Sequence, residues 1–501
     1  MNFQRASGIL LHPTSLPGPY GIGDIGPQAK RWVDFLAATG TRLWQILPLG
    51  PTGYGDSPYQ CFSAFAGNPY IISPEVLLEN GLLHRDDIIE APNWLAQQVD
   101  FGRVIPYKLG ILERSFIRFK NTFPAKIQKD FDAFQTAQAH WLLDYALFMA
   151  IKDTQQNRSW VEWPAPLRDR EPKALQDFRQ QYASEIERHA YFQFLFFQQW
   201  HDLRAYVHQQ GIQILGDIPI FVAHDSADVW ANRELFYLNE KGQPTVVAGV
   251  PPDYFSPTGQ LWGNPIYRWA VHQHQNFSWW IERFRAVFSM VDIVRLDHFR
   301  GFAGYWEIPG GEETAIRGRW VSGPGAALFQ QVEAALGELP IVAEDLGEIT
   351  PDVVELREEF GFPGMKVMVF AFDSDENNPF LPHNFTPNCV VYTGTHDNDT
   401  SVGWYQRADE QIRDFARRYL ARGGSDIAWD LIRASWGSVA VFAVAPMQDI
   451  LSLDNKARMN FPSKLGGNWQ WRMKSGMLTS SLSARLKEQN TLYGRYFFNE
   501  N

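Results

Sequence analysis

Four acidic residues stand at or near the ends of short apolar, β-branched runs. They are Asp217 in IQILGDIPIF (212–221), Asp297 in DIVRLDHF (292–299), Glu344 in IVAEDLG (341–347) and Asp397 in CVVYTGTHD (389–397). A single acid at a strand end is more often structural than catalytic. Several converging on one rim are different, because like charges in a confined site repel. Two carboxyl groups are what retaining glycoside hydrolysis and transfer require: an ionised nucleophile, and an acid that holds a proton near neutral pH. Arg295 precedes Asp297 by two residues, so their side chains share one strand face. A guanidinium there orients Asp297 and favours its anion, which marks Asp297 as the nucleophile. Glu344 has no arginine in its own segment. Its apolar neighbours and Asp345 are conditions that raise a carboxyl pKa, which makes Glu344 the acid/base candidate. His298 and His396 each adjoin a carboxylate. Either can donate to a sugar hydroxyl, and either fits equally well as a structural imidazole.

Convergence needs parallel strands. Eight runs qualify: 7–12, 42–49, 212–221, 292–299, 341–347, 365–372, 389–397 and 438–446. Helix-like segments alternate with them, at 27–39, 277–290, 327–336, 351–360 and 409–421. Pro27 suits a first turn and Gly40 a stop; Thr350 and Pro351 read as a cap and N1. Eight buried strands alternating with helices predict an α/β fold, a closed (β/α)8 TIM barrel. An open doubly wound sheet is the runner-up, but no G-x-G-x-x-G follows the first strand. The barrel is expected to span 1–501 as a single catalytic domain. Residues 75–190 are helical by pattern and read as a subdomain inserted between the second and third strands. Residues 236–276, rich in Gly, Pro and aromatics, read as a shaped active-site loop on the C-terminal face.

The net charge of −11 argues against a nucleic-acid surface, which needs basic patches. No apolar run is long enough to span a bilayer. The N-terminus has no basic region followed by a sustained apolar stretch, so no secretory leader is expected. Two cysteines, Cys61 and Cys389, make no disulfide framework and suit a cytoplasmic protein. Aromatics are abundant at 15%, with 19 Trp and 18 Tyr, and such faces suit the apolar faces of sugar rings.

GDIPIFVAHDSADVW (216–230), DIVRLDHFRGF (292–302), AEDLGEITPDV (343–353) and YTGTHDNDT (392–400) resemble the ordered motifs of the 4-α-glucanotransferases, the amylomaltases or disproportionating enzymes. HPTSLPGPYGIGDIG (12–26), GPTGYGDSPYQCFSAFAGNPY (50–70) and NFPSKLGGNWQWR (460–472) match too. The resemblance covers nearly the whole chain. It implies transfer of α-1,4-glucan segments to the 4-hydroxyl of an acceptor through a covalent glycosyl-enzyme, with cyclic glucans as further products. Asp297 would be the nucleophile, Glu344 the acid/base and Asp397 the transition-state stabiliser. Tyr59 and Trp262 would pack on glucose rings. Asp217, Gln260, Arg295, His298, His396 and Asn460 would belong to the binding site, and Tyr54 to a more distant glucan patch. It implies no metal and no organic cofactor. Two positions depart from the family pattern. Ser463 follows the proline of N-x-P where glycine is common, and serine restricts φ more than glycine does. Cys61 stands where serine is expected.

Three rivals remain in the residues themselves. A hydrolase of the α-amylase kind would use the same nucleophile and acid. Such enzymes often add a C-terminal β-sandwich, for which residues 447–501 are too few. An Mg²⁺-dependent enolising barrel leaves Arg295 beside Asp297 unexplained. A non-catalytic glucan-binding protein would tolerate loss of an acid, and none is lost. The acceptor aromatics expected to exclude water are Trp262, Tyr254 and Phe255 in PPDYFSPTGQLWGNP (251–265), with Tyr54 and Tyr59. Oligomeric state is not legible in the sequence.

Overall fold

The β-branched runs form eight parallel strands. They are β1 (Ala6–Leu10), β2 (Leu43–Gln45), β3 (Gln213–Pro219), β4 (Ile293–Asp297), β5 (Ile341–Ala343), β6 (Gly364–Val367), β7 (Cys389–Tyr392) and β8 (Phe442–Pro446). They belong to a computed structural model that describes residues 3–88, 91–122, 124–252, 256–462, 464 and 466–496. The order is β6-β7-β8-β1-β2-β3-β4-β5. Between the two ends of that order, the Ala343 N–H donates to the Pro363 carbonyl at 2.9 Å, so the sheet curls into a barrel. Strand interiors are buried and rich in Val, Ile and Ala, as a sheet covered on both faces requires.

Register places the acids. Asp217 pairs with Arg295, Pro219 with Asp297, and Leu296 with Ala343. Glu344 therefore comes level with Asp297 at the C-terminal rim.

The strands are shorter than the apolar runs. β6 gives way at Met368–Phe370 to a 3₁₀ turn. Glu344 lies one residue past β5. Asp397 does not end β7; it sits in the loop beyond Tyr392. Asn398 closes that loop, its Oδ1 accepting from the Thr395 N–H at 2.8 Å and hydroxyl at 2.9 Å.

The alternating helices are Pro27–Thr39, Ser278–Met290, Ala326–Leu336, Pro351–Glu359 and Glu410–Leu420. Gly40 ends the first in the left-handed region, at φ 70°. Thr350 holds the N-cap position of Pro351–Glu359 but makes no side-chain cap bond. Its hydroxyl instead serves Asp352 and Arg300.

Between β2 and β3 lie the helices Phe101–Thr122, Ala125–Ala137, Ala139–Thr154, Pro172–Gln181 and Ala183–Gln209. The last runs straight from this helical region back to β3. Two buried glutamines on it clamp the loop that follows β2. Gln193 accepts from the Gly67 N–H at 2.7 Å and donates to the Gly67 carbonyl at 2.9 Å. Gln199 does the same for Ser73, at 2.7 and 3.2 Å. The backbone N–H and carbonyl of Gly67 and of Ser73 thereby find partners.

The segment 236–276 is not wholly irregular. Val246–Val250 and Gln260–Pro265 are strands of a four-stranded antiparallel sheet, with Gly304–Pro309 and Arg319–Ser322. No described helix is long and apolar enough to cross a membrane.

Candidate active site

Arg295 on β4 is the centre of charge. Its Nη1 donates to Asp217 on β3 at 3.0 Å (Oδ1) and 2.7 Å (Oδ2), and its Nη2 lies 2.9 Å from Asp297 Oδ1. One buried guanidinium thus serves two carboxylates. Burial raises the Asp217 carboxyl to about 6, and Arg295 opposes that rise. The Asp217 side chain has no exposed surface. It is packed against Arg295 and lines a cavity together with Tyr59. Tyr59 reaches the same carboxylate, its hydroxyl donating to Asp217 Oδ2 at 3.0 Å.

β4 ends in a tight turn. His298 adopts φ 54°, an uncommon conformation for a side-chain-bearing residue. The turn aims the His298 N–H at Glu344 Oε2, 2.7 Å away. The Leu346 N–H donates to Glu344 Oε1 at 3.0 Å. Two further backbone bonds zip the segments together: Glu344 N–H to Leu296 carbonyl and Phe299 N–H to Glu344 carbonyl, both 3.0 Å. Gly301 packs against this turn; a Cβ there would stand 2.7 Å from Ile220 Cδ1 and 3.1 Å from His298 Cδ2.

Burial lifts the Glu344 carboxyl to about 7; Arg295 opposes this, the Asp297 charge adds to it, and the two backbone bonds hold it back. The sequence-based reason was only half right. Asp345 turns away to Arg357 and to the Met365 N–H at 2.7 Å, so Asp297 is the acidic neighbour that matters.

Asp397 is held from two sides. His396 Nε2 lies 3.2 Å from its Oδ2, and Asn460 Nδ2 donates to its Oδ1 at 2.6 Å. Burial alone would raise this carboxyl; the charge and hydrogen bond of His396, with the Asn460 bond, outweigh it and hold the pKa well below the usual carboxylate range. His396 shifts up in return: burial opposes, and Asp397 prevails. Tyr59 stacks on the His396 ring, centroids 5.2 Å apart and planes 16° apart.

His298 is the neutral member. Burial lowers its pKa to about 4, against the pull of Asp297. Its Nε2 is buried without a protein partner. Such an atom is costly unless a ligand or water satisfies it. Trp262 meets this ring edge to face, centroids 4.7 Å apart, while its Nε1 donates to Gln260 Oε1 at 3.2 Å. Tyr54 stands apart, 74% exposed in a 3₁₀ turn. Tyr254, Phe255 and Ser463 lie outside the described residues.

Nothing in the residue pattern singles out Trp469 or Arg458, yet both belong here. Trp469 packs 5.8 Å from Tyr59 and 5.9 Å from His396 by ring centroids. Arg458 Nη2 donates to the Asp397 carbonyl at 2.6 Å. Trp469 falls inside the GGNWQWR segment already quoted, two residues after Gly467. Among the described residues no group of three or more His, Cys, Asp or Glu could hold a metal ion.

A parallel barrel with acids gathered at its C-terminal rim defines a (β/α)8 barrel enzyme. A 4-alpha-glucanotransferase family profile matches residues 11–479. The chain belongs to that family. It is 51% identical to the 4-alpha-glucanotransferase of Thermus thermophilus, over 97% of this chain and 98% of that one. It is 44% identical to a chloroplastic/amyloplastic 4-alpha-glucanotransferase of Arabidopsis thaliana, over 98% of this chain and 86% of that one. Among solved structures, the amylomaltase from Streptococcus agalactiae in complex with acarbose superposes with a TM-score of 0.96 at 41% identity, covering 99% of this chain and 100% of that one.

Proposed function

We infer that this enzyme moves α-1,4-glucan segments by double displacement, with Asp297 as nucleophile and Glu344 as acid/base. The observation that carries the assignment is the divided environment of the two acids. Asp297 is paired with Arg295, whereas burial lifts Glu344 to about 7. An Asp297 oxygen attacks the anomeric carbon of the donor. Glu344 gives its proton to the departing 4-oxygen, so the glycosidic bond breaks as the ester bond forms. Glu344, now a carboxylate, takes the proton of the acceptor 4-hydroxyl. That oxygen displaces Asp297, and the anomeric configuration is retained. When the acceptor is the far end of the same chain, the product is a cyclic glucan.

Asp397 is fixed as an anion by His396 and Asn460, which suits it to the positive charge that develops at the sugar ring. The unpartnered His298 Nε2 is placed for a sugar hydroxyl, with Trp262 as the stacking wall beside it. Arg295 supplies the local positive charge, and no residue role here calls for a metal. The two free thiols, Cys61 and Cys389, suit work in a reducing cytoplasm.

Maltotriose tests the reaction. Transfer makes one α-1,4 bond for each it breaks, so glucose and maltopentaose appear while the number of reducing ends stays constant. A rise in reducing ends in step with glucose would mean a hydrolase. Trp262→Ala removes acceptor stacking and leaves the acids in place, so it should shift the balance towards hydrolysis. An equal loss of both reactions would make Trp262 a residue of the fold.

The pH profile follows from Glu344. Its acid form is the competent one, so kcat/KM on maltotriose should fall as pH rises through about 7, close to tenfold per unit beyond it. A glucosyl fluoride needs little protonation of its leaving group and should lose most of that limb. The same limb with both donors would remove Glu344 from the role of acid.

A further inference from the structure

The antiparallel sheet carries an apolar row on the face turned away from the acids. Register aligns Leu261 with Gly249, Gly249 with Trp306, and Trp306 with Trp320. Residues directly opposite one another share a sheet face. Gln260 and Trp262 leave the other face of the same strand, and Trp262 meets His298 there. Leu261 is 38% exposed and Trp320 39%; Ile316, 54% exposed, lies in the connecting loop next to Ala315, whose carbonyl accepts from Trp306. Exposed large apolar side chains gathered on one small sheet ask for an explanation.

The two indoles are held in place. Trp306 Nε1 donates to the Ala315 carbonyl at 2.9 Å, and its ring lies so close to Gly318 that a Cβ there would stand 2.1 Å from Nε1. The ring centroids of Trp306 and Trp320 are 5.3 Å apart, with 71° between planes. The Arg300 guanidinium lies 3.9 Å from the Trp320 ring centroid. Arg300 is itself tied to the loop after Glu344, through the Glu348 carbonyl at 2.6 Å and the Thr350 hydroxyl at 3.1 Å. A ring fixed in this way loses little rotamer freedom when a ligand stacks on it.

We propose that the Leu261–Trp306–Trp320 row is a second glucan-binding surface, which takes the part of a long α-1,4-glucan that runs out of the cleft. The proposal rests on the transferase reading. Continuity argues for glucan as the occupant, because the strand Gln260–Pro265 presents Trp262 to the cleft and Leu261 to the row. The row crosses three strand spacings, roughly 14 Å, long enough for a few hexose rings. Gly249 leaves it without a side chain in the middle, and a Cβ there would stand 2.3 Å from the Gln260 carbonyl oxygen. Exposed Ser322 follows Trp320 by two residues on the same face and offers a hydroxyl at the edge. A second copy of the chain is a poorer occupant: a few partly exposed side chains fall far short of the roughly 800 Å² per partner of a standard protein interface.

The test compares soluble amylose with maltotriose, on full-length protein. In Trp320→Ala the KM for amylose, relative to that for maltotriose, should rise roughly threefold to tenfold. Retention in native gels cast with amylose should fall. Trp320→Phe should recover most of both. Leu261→Ser, at the far end of the row and clear of Arg300, should reproduce the weaker retention even if Trp320→Ala folds poorly. Wild-type retention in both variants, or an equal change in both KM values, overturns the surface. So does a drop in sedimenting mass without a change in retention, which would make the row a self-association face. A wild-type protein held by amylose that fails to disproportionate maltotriose contradicts the transferase reading instead, and spares the surface.

Discussion

Asp297→Asn should fold normally and lose glucan transfer by on the order of 10⁵-fold. An amide nitrogen or oxygen at this position does not form the ester that the first displacement needs. The fold should survive because Arg295 keeps both of its bonds to Asp217, so no buried charge is left alone. Circular dichroism and kcat on maltotriose, measured on one preparation, check both halves. Turnover within tenfold of wild type in a folded, sequence-verified sample would exclude Asp297 from the chemistry.

Glu344→Gln should cost about 10²- to 10⁴-fold on maltotriose, the usual contribution of a positioned acid/base. The loss should be much smaller for the first step with a glucosyl fluoride. Stability gives a control of definite sign. Burial raises the folded-state pKa above the ordinary 4.5 to about 7, so ionising Glu344 costs the folded state stability as pH rises through that window. The glutamine variant escapes that cost, although its Nε2 cannot accept from one of the two backbone N–H groups that donate to Glu344, so its Tm should fall less than that of wild type between pH 5 and pH 8. The same fall in Tm as wild type over that range would mean that ionisation of Glu344 does not carry the pH dependence of stability.

The barrel was legible because its strands are buried on both faces. IQILGDIPIF and CVVYTGTHD read as continuous apolar runs, and all eight such runs contain a strand. Where each strand stops was not legible. Asp397 sits in a loop because β7 ends at Tyr392, and the bonds that shape the loop come from Asn398 and from Arg458, far along the chain. The antiparallel sheet hid behind its glycines and prolines: VVAGV and QLWGNP look like turns, and cross-strand partners are what make them strands.

The acids themselves were legible, and so was the Arg295–Asp297 pair, because two residues of one strand face are neighbours by geometry alone. The pairing of Asp217 with Arg295 and Tyr59 was not legible in the sequence. Those bonds depend on register between strands and on a clamped loop, neither of which is local. Glu344 was assigned the right direction of shift for a partly wrong reason. Sequence adjacency pointed to Asp345, but that side chain faces Arg357, and the effective neighbour is Asp297 across the strand gap.

The covalent intermediate is the point on which the account stands most directly. Glu344→Gln protein mixed with a maltooligosyl fluoride should accumulate it, because the activated donor permits the first displacement and the missing base slows the second. Intact-mass and peptide mass spectrometry should then find one glucan in ester linkage on the peptide that contains Asp297. A glucan on any other residue, or a fully consumed donor with no adduct at any time and an inverted product, would contradict the double displacement through Asp297.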